Sequence, residues 1–373
     1  MMGFSARATI VLGSLALLVG ASRASAQVPQ APTVTVGGVG YFQYGYGFNG
    51  DSTLKTDNST SYGHQNYFDV TRAYINIIAK LPHGVGARIT PDIITTRNNT
   101  ATGIILRMKY AYVSWTPTNS PLTFKFGEIQ TPWLDWEEAL WDYRMQGQMA
   151  MERAGYLSSS DFGISVDGNI HYDKLNFTAG IYNGENYSAG TVGPNGLIGD
   201  ANKDFSARVS YKILNTNLPG KVGGLRITGY GQYGKPNGGG ERYRAIGELS
   251  YQTKMFLLAA EYGWAQDSVT GDSGIAVTAK PKATGQVLSF YGVLRIPNSM
   301  WQIILRYDQN DPNTASTSPD NTQNRFIGGV AYQLSTNLRL MAGVDIAATP
   351  GAVYNNKYNA SRSLGLFQAQ VVF

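Results

Sequence analysis

The sequence predicts an all-β protein, a transmembrane antiparallel β-barrel of about sixteen strands with short turns at one end and long loops at the other. Three observations support this prediction. Apolar and polar side chains alternate with a period of two along most of the chain. Glycine and tyrosine are abundant, with 44 and 24 residues, whereas only 15% of the residues are charged. Short and long connections between the alternating segments follow one another in turn.

The first element is a predicted signal peptide. Arg7 supplies a positive charge, and Ile10–Val19 is an apolar run that is too short to cross a bilayer as a helix. Ala24-Ser25-Ala26 matches the small-residue pattern of a cleavage site. We therefore expect residues 1–26 to be removed and residues 27–373 to form one exported barrel domain.

Sixteen alternating segments follow, each near the length of about ten residues that a tilted membrane strand needs. In Leu225–Tyr233 and Trp301–Asp308, every second side chain is apolar or glycine and the others are mostly polar, which places one set toward lipid and the other toward a polar interior. The predicted strands are Val34–Phe48, Tyr67–Leu81, Val85–Thr95, Ile104–Trp115, Leu122–Gln130, Phe162–Tyr172, Leu175–Asn183, Asp204–Leu214, Leu225–Tyr233, Tyr243–Gln252, Met255–Gln266, Gln286–Ile296, Met300–Gln309, Asn324–Leu334, Leu338–Ala347 and Ser361–Phe373.

The connections distinguish a membrane barrel from a soluble sandwich. Short turns such as Pro82–Gly84 and Ser335–Asn337 alternate with long polar loops such as 49–66 and 349–360. A sandwich has no reason to separate loop lengths by side, whereas a transmembrane barrel does. The last segment ends on the aromatic Phe373, as the final strand of an outer-membrane barrel does.

The longest connection, 131–161, is predicted to carry a short helix. Thr131 is a suitable N-cap and Pro132 suits the first helical position. Trp133, Trp136 and Leu140 follow the i, i+3, i+7 spacing of one apolar helix face. Such a loop can fold against the wall of a wide barrel and narrow the channel. The alternative is an external cap or a subunit contact.

Candidate pore-lining residues lie on this loop and on the strands near it. Charged side chains at a constriction bias which ions pass, although charge is tolerated anywhere in a water-filled lumen. The candidates are Arg72, Arg88, Arg107, Lys109, Lys125, Glu128, Asp135, Glu137, Glu138, Asp142, Arg144, Glu152 and Arg153. The loop aromatics Trp133, Trp136, Trp141 and Tyr143 are candidates either for a sugar-stacking track or for anchors that hold the loop on the wall.

Catalysis and nucleic-acid binding are not expected. The chain has no cysteine, which excludes disulfides and thiolate sites. The net charge of +5 falls to +3 once Arg7 and Arg23 leave with the signal peptide, too little for a nucleic-acid-binding protein. His64, His83 and His171 have no recognisable catalytic partners, so we expect no enzyme, no metal site and no cofactor.

Several short motifs occur in an order that resembles the phosphate-selective porin O and P family. They are Tyr110–Val113, Phe126–Pro132, Glu137-Glu138 and Met151–Arg153, preceded by Phe68–Tyr74. The resemblance implies a sixteen-stranded outer-membrane porin, usually a homotrimer, with inward-folded loops. The dense arginine and lysine cluster of the best-known members has no counterpart in this sequence.

We therefore expect a porin in the outer membrane of a Gram-negative bacterium, which lets small hydrophilic solutes and ions diffuse passively and prefers anions or phosphate. Its expected partners are outer-membrane lipid, these solutes and further copies of itself in a homotrimer. Two alternatives stay open. One is a channel for sugars or organic acids that uses the loop aromatics. The other is a structural or adhesive barrel that binds partners through its outer loops.

Overall fold

The computed structural model describes residues 31–48, 66–97, 102–184, 202–218, 220–235, 240–268, 282–315, 322–348 and 361–373. The predicted signal peptide, 1–26, lies outside these residues and stays a prediction. Most of the long polar loops also lie outside them, and the adhesive role predicted for those loops stays a prediction.

Sixteen antiparallel strands form one closed barrel, as the sequence predicts, and each strand pairs with its neighbours in the chain. Every strand end lies within four residues of its predicted position. The strands are β1 (Thr33–Gly47), β2 (Asn66–Lys80), β3 (Val85–Arg97), β4 (Thr102–Trp115), β5 (Leu122–Gln130), β6 (Ser160–Ile170), β7 (Leu175–Tyr182), β8 (Asp204–Leu214), β9 (Gly224–Gly234), β10 (Arg242–Gln252), β11 (Phe256–Ser268), β12 (Lys282–Arg295), β13 (Trp301–Asp311), β14 (Gln323–Gln333), β15 (Leu338–Ala348) and β16 (Ser361–Val372).

The alternation of side chains sorts the strand residues between lipid and lumen. In β8, Ser206, Arg208 and Ser210 are buried inside the barrel, whereas Val209 and Tyr211 are exposed on its outer surface. Charge is costly in contact with lipid, and successive side chains point to opposite faces of a strand. Most of the polar strand residues therefore occupy the lumen.

The barrel closes where β1 meets β16. The amide of Gly38 donates to the carbonyl of Phe373 at 2.7 Å, and the amide of Phe373 donates back to Gly38 at 3.0 Å. The Phe373 ring lies so close that a Cβ on Gly38 would be 2.4 Å from its Cζ atom. Closure leaves no strand edge unpaired in the membrane. The Phe373 ring packs directly over residue 38, which leaves room there only for glycine.

The two ends of the barrel differ. At the end that carries Thr33 and Phe373, which we call the turn end, the strands are joined by short connections such as the 3-10 turn Pro82–Gly84. Trp115 and Trp301 are about half exposed near this end, where aromatic side chains mark the membrane interface. We call the opposite end the loop end.

Among the connections that the structure describes in full, the longest one enters the barrel. Residues 131–159, which we call the inner loop, join β5 to β6 and contain helix α1 (Pro132–Leu140), a 3-10 turn (Arg144–Gln146) and the short helix α2 (Ala150–Arg153). Strand β5 has only nine residues, so the inner loop leaves the wall partway along the barrel and folds into the lumen. No helix in the described part of the chain is long and apolar enough to span a membrane.

A charge on the lipid face should weaken folding. Leu305 lies in the middle of β13 and its side chain is 54% exposed on the outer surface. We predict that Leu305→Lys lowers the free energy of folding into phospholipid bilayers by about 2–4 kcal/mol, while Leu305→Met changes it little. Urea titration of the folded fraction measures both variants. Equal stability of the lysine variant would contradict the placement of this face against lipid.

Candidate functional site

The predicted apolar face of helix α1 packs on the barrel wall. Trp133, Trp136 and Leu140 are completely buried. The indole N–H of Trp136 donates to Glu248 on β10 at 3.0 Å. The guanidinium of Arg208 lies 4.9 Å from the Trp136 ring centre, close enough for a cation–π contact, and its Nε donates to the Pro132 carbonyl at 3.1 Å. One tryptophan and the start of the helix are thus held by strands β8 and β10.

The helix begins as predicted, but its cap does not use the threonine hydroxyl. Thr131 has extended backbone angles, and its carbonyl accepts the amide of Asp135 at 3.2 Å. The Thr131 hydroxyl instead donates to the carbonyl of Ser158 at the far end of the loop. Because the Thr131 amide also donates to Ser159 at 3.2 Å, the residue joins the two ends of the inner loop.

The chain after α1 is anchored to a second part of the wall. The Trp141 ring meets Tyr291 of β12 edge-on, with ring centres 5.3 Å apart. The Tyr143 hydroxyl donates to Gln302 of β13. Arg339 of β15 donates to the Asp142 carboxylate at 2.8 Å. These contacts keep the middle of the inner loop on the wall.

The last part of the loop contacts strands β10, β13 and β16. Arg153 of α2 pairs with Asp308 at 2.6 Å. Arg244 donates to the carbonyl of Tyr156 at 3.1 Å. The side chain of Gln146 donates to Gln368. The inner loop therefore contacts much of the wall from β8 to β16.

The buried aromatic side chains of the loop are anchors. Trp133, Trp136, Trp141 and Tyr143 have no exposed surface. A sugar can stack only on a ring face that is open to solvent. Of the two predicted roles for these four residues, the geometry favours the anchoring role.

The wall on the other side of the lumen carries a group of three charged residues, which we call the wall triad. Asp92 of β3 is completely buried and pairs with Arg72 of β2 at 3.5 Å and with Arg107 of β4 at 2.9 Å. Two guanidinium groups thus meet one carboxylate. Within the triad itself the positive charges outnumber the negative one.

A chain of ion pairs joins the loop to this wall, and we call it the waist chain. Lys109 of β4 lies 3.5 Å from Glu138 of α1. Arg144 in turn pairs with Glu138 at 2.9 Å and with Glu152 at 3.0 Å. Burial alone would raise the pKa of Glu152, but Arg144 and Lys109 outweigh burial and lower this pKa. The pair of Lys109 and Glu138 is the described ion pair that joins the inner loop to strand β4.

A β-bulge positions Lys109. Thr90 pairs with Tyr110 and Pro91 pairs with Met108, so Lys109 is the extra residue between them. Proline has no N–H with which to continue the ladder, and a bulge redirects the side chain of the extra residue. The sequence analysis selected Lys109 without finding this bulge, although a proline within a predicted strand is the signal that could have revealed it.

Two further ion pairs lie toward the turn end. Lys125 of β5 pairs with Asp167 of β6 at 2.7 Å. Lys221, in the connection between β8 and β9, pairs with Asp135 of α1. Burial would raise the pKa of Asp135, but Lys221 and Lys125 outweigh it and lower the pKa to about 2. This link should therefore persist until the pH falls well below the ordinary range of a carboxyl group.

Three other candidates take different places. Arg88 is on the inner wall, where it donates to Asn76 at 2.8 Å. Glu137 is buried against β10 and β11, and it points about 100° away from its neighbour, the lumen-facing Glu138. Glu128 shares the strand face of the exposed Phe126 and is itself only 1% exposed. Glu128 and Glu137 therefore do not line the passage. Glu128 lies on the outward face of strand β5, and Glu137 lies on the part of α1 that packs against the wall.

The described residues contain no group of three or more histidine, aspartate or glutamate side chains arranged to hold a metal ion.

Comparisons with known proteins show which family and which solved structures the chain resembles. A family profile described as Gram-negative porin matches residues 12–347. A comparison with curated protein sequences finds no match. Among solved structures, an anion-selective porin from Comamonas acidovorans is similar over 92% of this chain and 100% of its own, with a TM-score of 0.64 and 12% identity.

Two other solved barrels are similar to the chain. OmpT of Vibrio cholerae, in its trimer form, matches over 92% of this chain and 100% of its own, with a TM-score of 0.59 and 13% identity. Salmonella typhi OmpF in complex with daunomycin matches over 91% and 97%, with a TM-score of 0.58 and 13% identity. At such identities the likeness concerns the fold, and it agrees with the predicted barrel.

Removing one anchor should loosen the inner loop. Trp141→Ala deletes a completely buried side chain, and we predict a loss of about 3–5 kcal/mol in local packing. Single-channel recordings in planar bilayers should show more current noise, and limited proteolysis should cut the loop faster. Trp115→Ala is the control, because the Trp115 side chain lies half exposed on the outer surface, and it should leave the current noise unchanged. Quiet channels in the Trp141 variant would contradict the anchoring role.

Proposed function

Since the chain belongs to the Gram-negative porin family, and is therefore an outer-membrane channel for the passive diffusion of small hydrophilic solutes, we propose that its constriction prefers small anions to cations. This membership confirms the resemblance to outer-membrane porins. The family and fold are those of a channel rather than an enzyme. The preference for anions goes beyond the family and rests on the charges around the inner loop.

The observation that carries the proposal is the exposure of the charges in the wall triad and the waist chain. The most exposed of them include two cations, with side-chain exposures of 20% for Arg107 and 16% for Arg72. Among the anions, Asp92 is 0% exposed, Glu152 is 5% and Glu138 is 19%. Two of the three anions are covered, and so is Lys109 among the four cations, with 4% of its side chain exposed. At the wall triad a solute therefore meets two accessible guanidinium groups and one covered carboxylate, whereas on the loop the Asp142 carboxylate, 44% exposed, is held by Arg339.

The mechanism needs no energy source. Ion pairs hold the side chains of the waist chain in place, so the field at the constriction is fixed before an ion arrives. An anion exchanges some of its water for the guanidinium groups of the wall triad. The exposure of these groups keeps the interaction screened and weak, so that the anion can leave on the other side.

Phosphate belongs to the same class of solute. Guanidinium groups bind phosphate oxygens through paired hydrogen bonds, and Arg72 and Arg107 are the accessible donors. We include phosphate among the proposed solutes, with no claim of specificity. The sugar-channel alternative has less support, because the loop aromatics are covered.

The assembly proposed for this chain is a homotrimer. The support is its likeness to OmpT of Vibrio cholerae, whose structure is described as a trimer form. Three equal conductance steps on insertion of one particle into a bilayer would agree with a trimer, whereas single steps would contradict it.

Two charge-neutralising variants of the waist chain should move selectivity in opposite directions. Lys109→Gln removes a cation and Glu138→Gln removes an anion from the same ion pair. We predict that the first lowers and the second raises the chloride-to-potassium permeability ratio by roughly two- to five-fold, since one charge near the path contributes about 0.5–1 kcal/mol. The zero-current potential under a potassium chloride gradient measures the ratio.

Lys282→Gln is the matched control, because Lys282 is 48% exposed near the loop end of β12 and lies on the outward face of that strand. It should leave the potential unchanged. A wild-type channel that prefers potassium, or one that does not respond to Lys109→Gln, would contradict the proposed preference for anions.

A further inference from the structure

Three buried glutamates meet behind the inner loop. Glu137 projects from α1 toward the wall, where it faces Glu261 of β11 and Glu248 of β10. All three side chains are almost completely buried. Three carboxylates in one dry place are costly unless each is paired or carries a proton.

The hydrogen bonds separate Glu248 from the other two. Glu248 accepts the indole N–H of Trp136 at 3.0 Å and the hydroxyl of Tyr291 at 2.7 Å. Within the described residues, none of the four carboxyl oxygens of Glu137 and Glu261 receives a hydrogen from another residue. The two carboxyl groups instead face each other, almost completely buried and without a donor from another described residue. Two ionised carboxylates in such a place repel each other and lack hydrogen bonds, which favours a proton on one of them.

The charged groups around the pair can neutralise at most one of its two carboxylates. The buried Arg306 of β13 is the cation that acts on both glutamates, but it already pairs with Asp308 at 2.8 Å. Arg153 of α2 pairs with the same Asp308. Arg208 of β8 acts on Glu248 and donates its hydrogen bonds elsewhere. The remaining ionisable neighbour, Tyr291 of β12, donates to Glu248.

These surroundings set the direction of the titration. Burial, followed by repulsion from Glu261 and Glu248, raises the pKa of Glu137 well above its ordinary value. A carboxyl group with a raised pKa binds its proton more tightly in the folded state. Its contribution to stability is therefore present at low pH and is lost as the pH rises from about 4.3, the ordinary pKa of glutamate, through the raised pKa.

We propose that Glu137 and Glu261 form a proton-binding site that positions the inner loop, so that one shared proton fastens α1 to the wall and loss of that proton at high pH releases it. Release moves α1 away from β11, and the lumen-facing Glu138 on the next residue moves with it. The waist chain then rearranges and the conductance changes. This inference rests on the proposal that the inner loop forms the constriction.

The test is single-channel conductance of the purified mature protein in planar bilayers, scanned from about pH 5 to pH 9.5, a range that brackets the highest carboxyl pKa values known in proteins. We expect a steady conductance at low pH and a change to a different level at high pH. The ratio of the times that the channel spends at the two levels should change by no more than about tenfold per pH unit, because one proton is bound or released. Glu137→Gln, which keeps a hydrogen bond to Glu261 without a titrating proton, should hold the low-pH level throughout.

Glu138→Gln is the matched control. It changes the adjacent carboxyl group, which faces Lys109 and not Glu261, so the step should stay at the same pH, although its size and the zero-current potential change. A wild-type channel without a pH step, or a Glu137→Gln channel that keeps it, would overturn the proposal.

A second measurement tests the proposal in case Glu137→Gln does not fold. Infrared spectra of the folded wild-type protein should contain the C=O band of a protonated carboxyl group at neutral pH, and Glu261→Gln should reduce the intensity of this band. Absence of the band overturns the proposal. The proposed function fails separately: a cation-selective channel that still loses its pH step in Glu137→Gln contradicts the preference for anions and leaves the proton site standing.

Discussion

The architecture depends on the burial of an aromatic loop inside a barrel whose inner wall is polar. A closed barrel of sixteen strands is wide, and its inward side chains include arginines that need partners. The inner loop supplies those partners through carbonyl groups, carboxylates and indole rings. Each tryptophan also removes a large apolar surface from water, worth roughly 1.5–3 kcal/mol or more. The wall and the loop therefore satisfy each other.

Arginine suits this role because its guanidinium group is flat and carries several donors. Arg208 uses one edge for the Pro132 carbonyl and its face for Trp136. Arg339 combines a pair with Asp142 and a stack on Tyr143 in the same way. The consequence is a lumen with two unlike sides. From β8 to β16 the wall is occupied by the loop, whereas from β2 to β4 the guanidinium groups of Arg72 and Arg107 are partly exposed to solutes.

Local pattern was sufficient for the barrel and for much of the loop. Alternation, loop lengths and the aromatic terminus predicted the strands, and the spacing of Trp133 and Trp136 predicted a buried helix face. The pattern could not tell Glu137 from Glu138, because which of two adjacent helical carboxyls meets the wall depends on how α1 rotates against strands more than 100 residues away. Lys109 owes its position to a bulge, which is a property of strand pairing. Contacts of this kind are set by the whole fold.

The central claim is that the inner loop lies folded in the lumen with one side on the wall and the other toward the solute. The chain contains no cysteine, so single cysteines can report each side without background. The most direct measurement is block of the channel current by a charged thiol reagent at Glu138→Cys and at Leu140→Cys, since the first side chain is partly exposed and the second is completely buried. We predict stepwise block at position 138 and protection at position 140 while the barrel is folded. Equal reaction at both positions without block would show that the loop is outside the lumen and would contradict the account.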